Sequence, residues 1–261
     1  MTFIIASVEL WKLLVAAAAA FIAGMLNATS GGGSFLSYPV LLSLGQSPLV
    51  ANATSTVGLW PGLIANLPGF KHELKFNKQL IKLFILPVLS GAMVGSFILT
   101  QTPDAVFGFV APVLIFTGSL VLRFHIRIEH LFDRVNLGTE KRKIAVVTVA
   151  TFFIAIYAAY FGAGVGVLFL AAFALLKMEN FYHSVAVKNI LALASNTIAT
   201  IYFSYAGLVY WPIALAMSVG SISGGITGSR VIRLIDKDHM RRFVVIFGLS
   251  TSVALLIFQL M

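Results

Sequence analysis

Six stretches of this chain, 10–26, 83–99, 106–122, 144–161, 190–205 and 243–261, carry few or no charged residues. A hydrocarbon core of about 30 Å needs about 20 apolar residues in helical form to cross it, and most of the stretches approach that length. Only 10% of the residues are charged and 59% are hydrophobic, whereas soluble domains run near about 25% charged. The chain therefore reads as an all-α, polytopic integral membrane protein. With so many spans, the first reads as a span rather than a cleaved leader, because no Lys or Arg precedes Lys12. The longest hydrophilic stretch, 123–143, is too short for a soluble domain and reads as a loop.

A net charge of +9 raises the question of nucleic acid. In a membrane chain the excess belongs to cytoplasmic loops, so no nucleic-acid partner is expected. The sequence has no cysteine, which removes disulfide and thiolate chemistry and leaves the redox compartment unread.

Sliding the sequence against itself by 133 positions sets Gly31 and Gly33 on Gly164 and Gly166, Ala53 on Ala186, and Gly91 and Gly95 on Gly224 and Gly228. Each half reads as a long span, a glycine-rich break, a short apolar segment (35–44 and 167–176) and three further spans. The expected division is a first transmembrane repeat over 1–125, a basic cytoplasmic linker over 126–143 and a second repeat over 144–261. Most of the eighteen Lys and Arg fall in three clusters, around Lys71–Lys82, Arg123–Lys143 and Arg230–Arg242. The repeat equivalents of the first and third clusters, 204–212 and 100–104, lack basic residues. Equivalent loops then lie on opposite faces, the pattern of inverted-topology repeats whose binding sites form at the repeat interface.

The breaks carry the chemistry. They read Asn27-Ala-Thr-Ser-Gly-Gly-Gly-Ser34 and Tyr160-Phe-Gly-Ala-Gly-Val-Gly166. Each precedes a helix about 15 Å long, whose N-terminus offers unpaired N–H donors and a partial positive charge suited to an anion. Ser34 is placed to cap the first of these helices. Polar residues follow both short segments, Asn52-Ala-Thr-Ser-Thr56 and Lys188-Asn189, and Ser55 is the equivalent of Lys188. Lys188 sits about 12 Å into its span, where an ionisable residue is costly and marks function. Snorkelling to the interface is the bland alternative.

The nine acids all lie in loops or near segment ends. Carboxylates within spans mark cation sites and proton relays, so their placement argues against a cation pump. Glu179 and His183 are the titratable groups nearest the path. No Ser-His-Asp set or P-loop appears, and no catalytic residue, metal site or cofactor is expected.

The run Gly31-Gly-Gly-Ser-Phe-Leu-Ser-Tyr-Pro39, with Gly45, Pro48 and Ala51-Asn-Ala-Thr-Ser55, resembles the first-repeat motif of the sulfite exporter TauE/SafE family of membrane permeases. Gly162-Ala-Gly-Val-Gly166, Ala186-Val-Lys-Asn189, Ser195-Asn196, Gly207, Trp211 and Gly224-xxx-Gly228 are similar to its second-repeat pattern. The resemblance implies a secondary permease, often an exporter, for sulfite, sulfoacetate and other organosulfonates. It also implies that the breaks, with Thr54, Ser55, Lys188, Asn189 and Asn196, line the path. The second motif departs from a triple glycine and holds Ala172 where a proline is expected, which implies a less symmetric site.

The expectation is thus a multi-pass permease of the bacterial inner membrane with the lipid bilayer around it. A small anion is bound by Gly31, Gly32, Gly33, Ser34, Asn52, Thr54, Ser55, Gly164, Gly166, Lys188, Asn189 and Asn196, and moved as the two repeats rock. An anion channel, a carboxylate importer and a non-transporting scaffold or sensor stay open as alternatives, as does a homo-oligomer.

Overall fold

A computed structural model describes residues 9–29, 31–124, 127, 138–176, 178, 180–231 and 237–260. Glu179 and most of the expected linker, including 128–137, lie outside the described residues. All regular structure among the described residues is helical.

The first part of the chain forms α1 (Leu10–Ala28), the short α2 (Ser34–Ser43), α3 (Pro48–Asn66), a 3-10 turn (Leu67–Phe70), the six-residue α4 (Lys71–Phe76), α5 (Lys78–Gln101) and α6 (Asp104–Arg123). The rest forms α7 (Glu140–Tyr160), the short α8 (Val165–Ala174), α9 (Phe181–Tyr205), α10 (Trp211–Val231) and α11 (Lys237–Leu260). The helices α1, α5, α6, α7 and α9 are long and apolar enough to cross a membrane. α3 and α10 span 19 and 21 residues but are rich in glycine and hydroxyl side chains; α3 is largely buried, whereas α10 buries its glycines and turns Leu215 and Val219 outward.

Local chemistry sets the interruptions. α1 stops where Gly31 and Gly32 take φ of +80° and +99°, left-handed backbone that costs a side-chain-bearing residue about 1–2 kcal/mol. α2 then lasts 10 residues, and Pro48 restarts the chain at the first turn of α3, where its missing N–H is not needed. In the second half, Gly162 and Gly164 turn the chain at φ of +76° and +74° before the 10-residue α8. The short helices begin one and two residues earlier than the hydropathy pattern suggests, at Ser34 and Val165.

Packing interleaves the two parts of the chain. α1 lies against α10 and α7 lies against α5; α3 packs on α10 and α9 on α5. α3 also meets α9, and α6 meets α11. Each pairing thus recurs with the halves exchanged. Glycines make the closest seams: a Cβ on Gly220 or Gly224 would collide with the backbone oxygens of Ala17 and Phe21, and one on Gly91 or Gly95 with those of Phe152 and Ile156. Small residues of this kind let helix backbones approach in lipid, where dispersion replaces the hydrophobic drive between helices.

The bundle is apolar outside and polar within. Leu86, Phe153 and Val219 are 72%, 63% and 70% exposed, whereas Asn52, Lys188 and Asn189 are 2%, 1% and 0% exposed. Water would penalise that outer surface. A hydrocarbon solvent accepts it and demands that polar groups pair inside.

Candidate functional site at the two glycine breaks

The two breaks meet backbone to backbone. A Cβ on Gly31 would lie 2.8 Å from Cα and 3.0 Å from N of Gly166, so the second break leaves no room for a side chain at Gly31. The ring of Phe35, buried at 1% exposure, wedges beside this contact. A Cβ on Gly32, Gly164 or Gly118 would touch it at 3.0, 3.1 or 2.9 Å.

Side chains of the preceding spans fix the shape of each break. Asn27 Oδ1 accepts from the N–H of Gly33 at 2.9 Å, and Tyr157 Oη donates to the carbonyl of Ala163 at 2.6 Å. Gly33 occupies the cap position of α2 and has no side chain to cap it, and Ser34 is the first helical residue. Ser34 therefore starts the helix and does not cap it.

The carbonyl ends of the broken spans are met by side chains from the other part of the chain. Lys188 Nζ, on α9, donates to the oxygens of Asn27 at 2.9 Å and Thr29 at 3.1 Å. Asn189 Nδ2 reaches the oxygen of Ala28 at 3.4 Å. On the opposite side Asn52 Nδ2, on α3, donates to the oxygen of Tyr160 at 3.0 Å. The last carbonyls of a helix have no intrahelical partners, and a cation there also complements the negative end of the helix dipole. A buried ammonium needs such partners.

Between the breaks lies a central pocket of about 30 Å³, room for about two waters. Asn27, Gly31 and Ser34 line it from the first break, and Phe161, Gly162 and Gly166 from the second. Thr56, Leu59 and Leu63 face it from α3, and Lys188, Ala192 and Asn196 from α9, the last three forming one stripe at four-residue spacing. An ammonium has three donors, and two of those on Lys188 are engaged. The turn bonds of the breaks leave the N–H groups of Ser34 and Gly166 unmatched among the described residues. Asn196 Nδ2 donates to Ala192 O at 2.9 Å, and the hydroxyl of Thr56 to Asn52 O at 3.0 Å. No carboxylate lines the pocket, and no group of three or more potential metal-ligating side chains occurs among the described residues.

Of the residues singled out from the sequence, Gly31, Ser34, Gly166, Lys188 and Asn196 line this pocket. Gly32, Gly33 and Gly164 form the adjoining backbone. Four others are buried beside it and bonded elsewhere. Asn52 and Asn189 hold the span ends, while Thr54 Oγ1 accepts from the N–H of Tyr210 at 2.9 Å. Ser55 shares a hydrogen bond of 2.6 Å with Ser37. Asn189 Oδ1 has no partner among the described residues. Asn27, Phe161 and Gly162 also line it and lie within the breaks read from the sequence, though none was singled out there. Thr56, Leu59, Leu63 and Ala192 were not expected as walls, and only Thr56, at the end of the polar run 52–56, carried a signal. His183 packs its ring against Phe76, 5.4 Å between centroids, and does not line the pocket.

Fold and site together are those of a multi-pass membrane transporter. The model of the family described as sulfite exporter TauE/SafE matches residues 16–255, and the chain belongs to that family. It is similar to a probable membrane transporter protein of Haemophilus influenzae, 25% identical over 233 residues that cover 87% of this chain and 88% of that one. The probable membrane transporter protein YfcA of Escherichia coli K12 is 26% identical over 242 residues, covering 91% and 87%. A probable membrane transporter protein of Xylella fastidiosa is 28% identical over 235 residues, covering 86% and 85%. No solved structure matches the chain with significance.

Proposed function

We propose that this protein is a secondary transporter that moves a small sulfur-containing anion, such as sulfite, sulfoacetate or another organosulfonate, across the bacterial inner membrane by alternating access. One observation carries the reading. The third N–H of Lys188, the unmatched N–H groups of Ser34 and Gly166 and the amide of Asn196 border one buried pocket that no carboxylate lines. Charge-assisted donors in a dry setting favour an oxyanion strongly, and the helix starts add partial positive charge. At about 30 Å³ the pocket must widen to load.

In this reading the chain consists of two inverted-topology repeats, 1–125 and 144–261, joined by a basic cytoplasmic linker. The recurrence of each helix pairing with the halves exchanged supports it. Gly31, Gly32, Gly33, Ser34, Gly164, Gly166, Lys188 and Asn196 contact the anion, and Asn52, Thr54, Ser55 and Asn189 hold the walls.

The test is thermal stability of the purified protein against sulfite, sulfate, methanesulfonate, sulfoacetate, acetate and chloride. A ligand at one hundred times its Kd stabilises by about 2.7 kcal/mol. Stabilisation by sulfite or the sulfonates, lost in Asn196→Ala, together with saturable counterflow in proteoliposomes, is the expected result. Stabilisation by acetate alone would point to a carboxylate importer, flux without saturation to a channel, and a flat panel to a scaffold or sensor.

A further inference from the structure

A second cavity, of about 350 Å³, lies between α2, α6 and α11, walled by Tyr38, Leu42, Gln46, Gly108, Pro112 and Leu255. It is far larger than the central pocket and falls in the range of small-molecule sites, about 300–1,000 Å³. Its walls are mostly hydrocarbon. Tyr38 is 1% exposed, and its hydroxyl has no hydrogen-bond partner among the described residues.

The chemistry of this cavity differs from that of the central pocket. No cation lines it. The nearest carboxylate the hydrogen bonds place is Asp104, whose Oδ1 accepts from Leu49 N at 2.8 Å and Ser47 Oγ at 3.0 Å, on either side of the cavity-lining Pro48. A bare oxyanion is disfavoured there, while an aliphatic group fits. The two spaces are separated by a pair of rings. Tyr38, on the wall of the cavity, stands edge-to-face on Phe161, on the wall of the central pocket, with centroids 5.4 Å apart.

We propose that this cavity is a tail compartment. It takes the aliphatic part of an organic anion whose sulfonate group is held in the central pocket, the chain passing where the rings of Tyr38 and Phe161 part. The assignment rests on the reading of the central pocket as an oxyanion site. It makes the protein a carrier that favours alkanesulfonates with a chain over inorganic sulfur oxyanions.

The experiment is a chain-length series, methanesulfonate to pentanesulfonate, measured for binding to the purified full-length protein and to Leu42→Trp, which fills the cavity. Wild type should gain affinity with each methylene, up to about fourfold per step from hydrocarbon transfer. Leu42→Trp should bind methanesulfonate as wild type does and show no gain along the series. A flat series in wild type, or an unchanged slope in Leu42→Trp, overturns the tail compartment and leaves the oxyanion site standing. Binding of the longer sulfonates but not methanesulfonate keeps the cavity and removes the central reading; binding of none overturns both. If Leu42→Trp fails to fold, a second measurement decides. The chain lacks cysteine, so Leu42→Cys offers a single thiol to a water-soluble methanethiosulfonate. Pentanesulfonate, but not methanesulfonate, should slow its modification; equal rates overturn the proposal.

Discussion

Lys188 Nζ donates to the backbone oxygen of Asn27 at 2.9 Å, so the one ammonium in the central pocket is also the clasp on the end of α1. Its counterpart is Asn52 on Tyr160, at 3.0 Å, and Asn27 and Tyr160 are themselves 133 positions apart. The charge of Lys188 is thus shared between the carbonyls it caps and whatever enters the pocket. That arrangement couples occupancy of the site to the geometry of the break.

Replacing Lys188 should separate the two roles. Lys188→Ala removes the donor to the carbonyls of Asn27 and Thr29, at about 1–3 kcal/mol for a buried hydrogen bond lost on one side, and removes the charge. Sequence alone suggests loss of transport with no effect on the fold; the structure adds a stability loss. Lys188→Gln can still cap one carbonyl, so it should recover part of the thermal stability and none of the flux. A Gln variant that transports at the wild-type rate would dismiss the charge as a requirement.

Gly31→Ala should disable the protein through the backbone. The residue sits at φ of +80°, worth about 1–2 kcal/mol against alanine, and the added carbon would lie 2.8 Å from Gly166 Cα. The two breaks must then spread. Counterflow in proteoliposomes is expected to fall more than tenfold; near-normal flux would mean that the breaks already separate freely.

Asn52→Leu removes the donor to Tyr160 while keeping the volume. It should lower thermal stability by about 1–3 kcal/mol, because the carbonyl it leaves is part-buried at a helix end. The second break is loosened in this variant and the first is intact, so sulfonate affinity should drop less than in Asn196→Ala. Isothermal titration of the two variants side by side makes the comparison.

Asp104→Ala serves as a probe away from the pocket. Its carboxylate accepts from Leu49 N and Ser47 Oγ at the start of α3. Loss of such a cap costs about 0.5–2 kcal/mol. Thermal melts should register that cost, and the affinity for methanesulfonate should stay at the wild-type value.

Much of the fold is legible in the sequence because lipid imposes simple rules. Span length, the positive φ needed at Gly31, Gly32, Gly162 and Gly164, and Pro48 at a helix start are local properties. The site is legible only in part. Gly31, Ser34, Gly166, Lys188 and Asn196 are recognisable as polar or flexible positions at membrane depth. That Lys188 caps α1, that Thr54 holds the N–H of Tyr210 and that Ser55 pairs with Ser37 depend on which helices cross. Those crossings are contacts between distant parts of the chain, and residue type alone carries no information about them. Leu59 and Leu63 look like ordinary apolar span residues and become pocket walls only through the same crossings.

The seam between Ala17 and Gly220 has a consequence for biogenesis. Its two sides are separated by about two hundred residues of chain, and synthesis proceeds at roughly 5–20 residues per second. α1 therefore waits some 10–40 s, on the order set by that rate, before α10 emerges to cover it. During that interval the alanine-rich face of α1 meets lipid or the insertion machinery instead of its final neighbour. Native assembly is consequently a late event, set by the arrival of the penultimate helix.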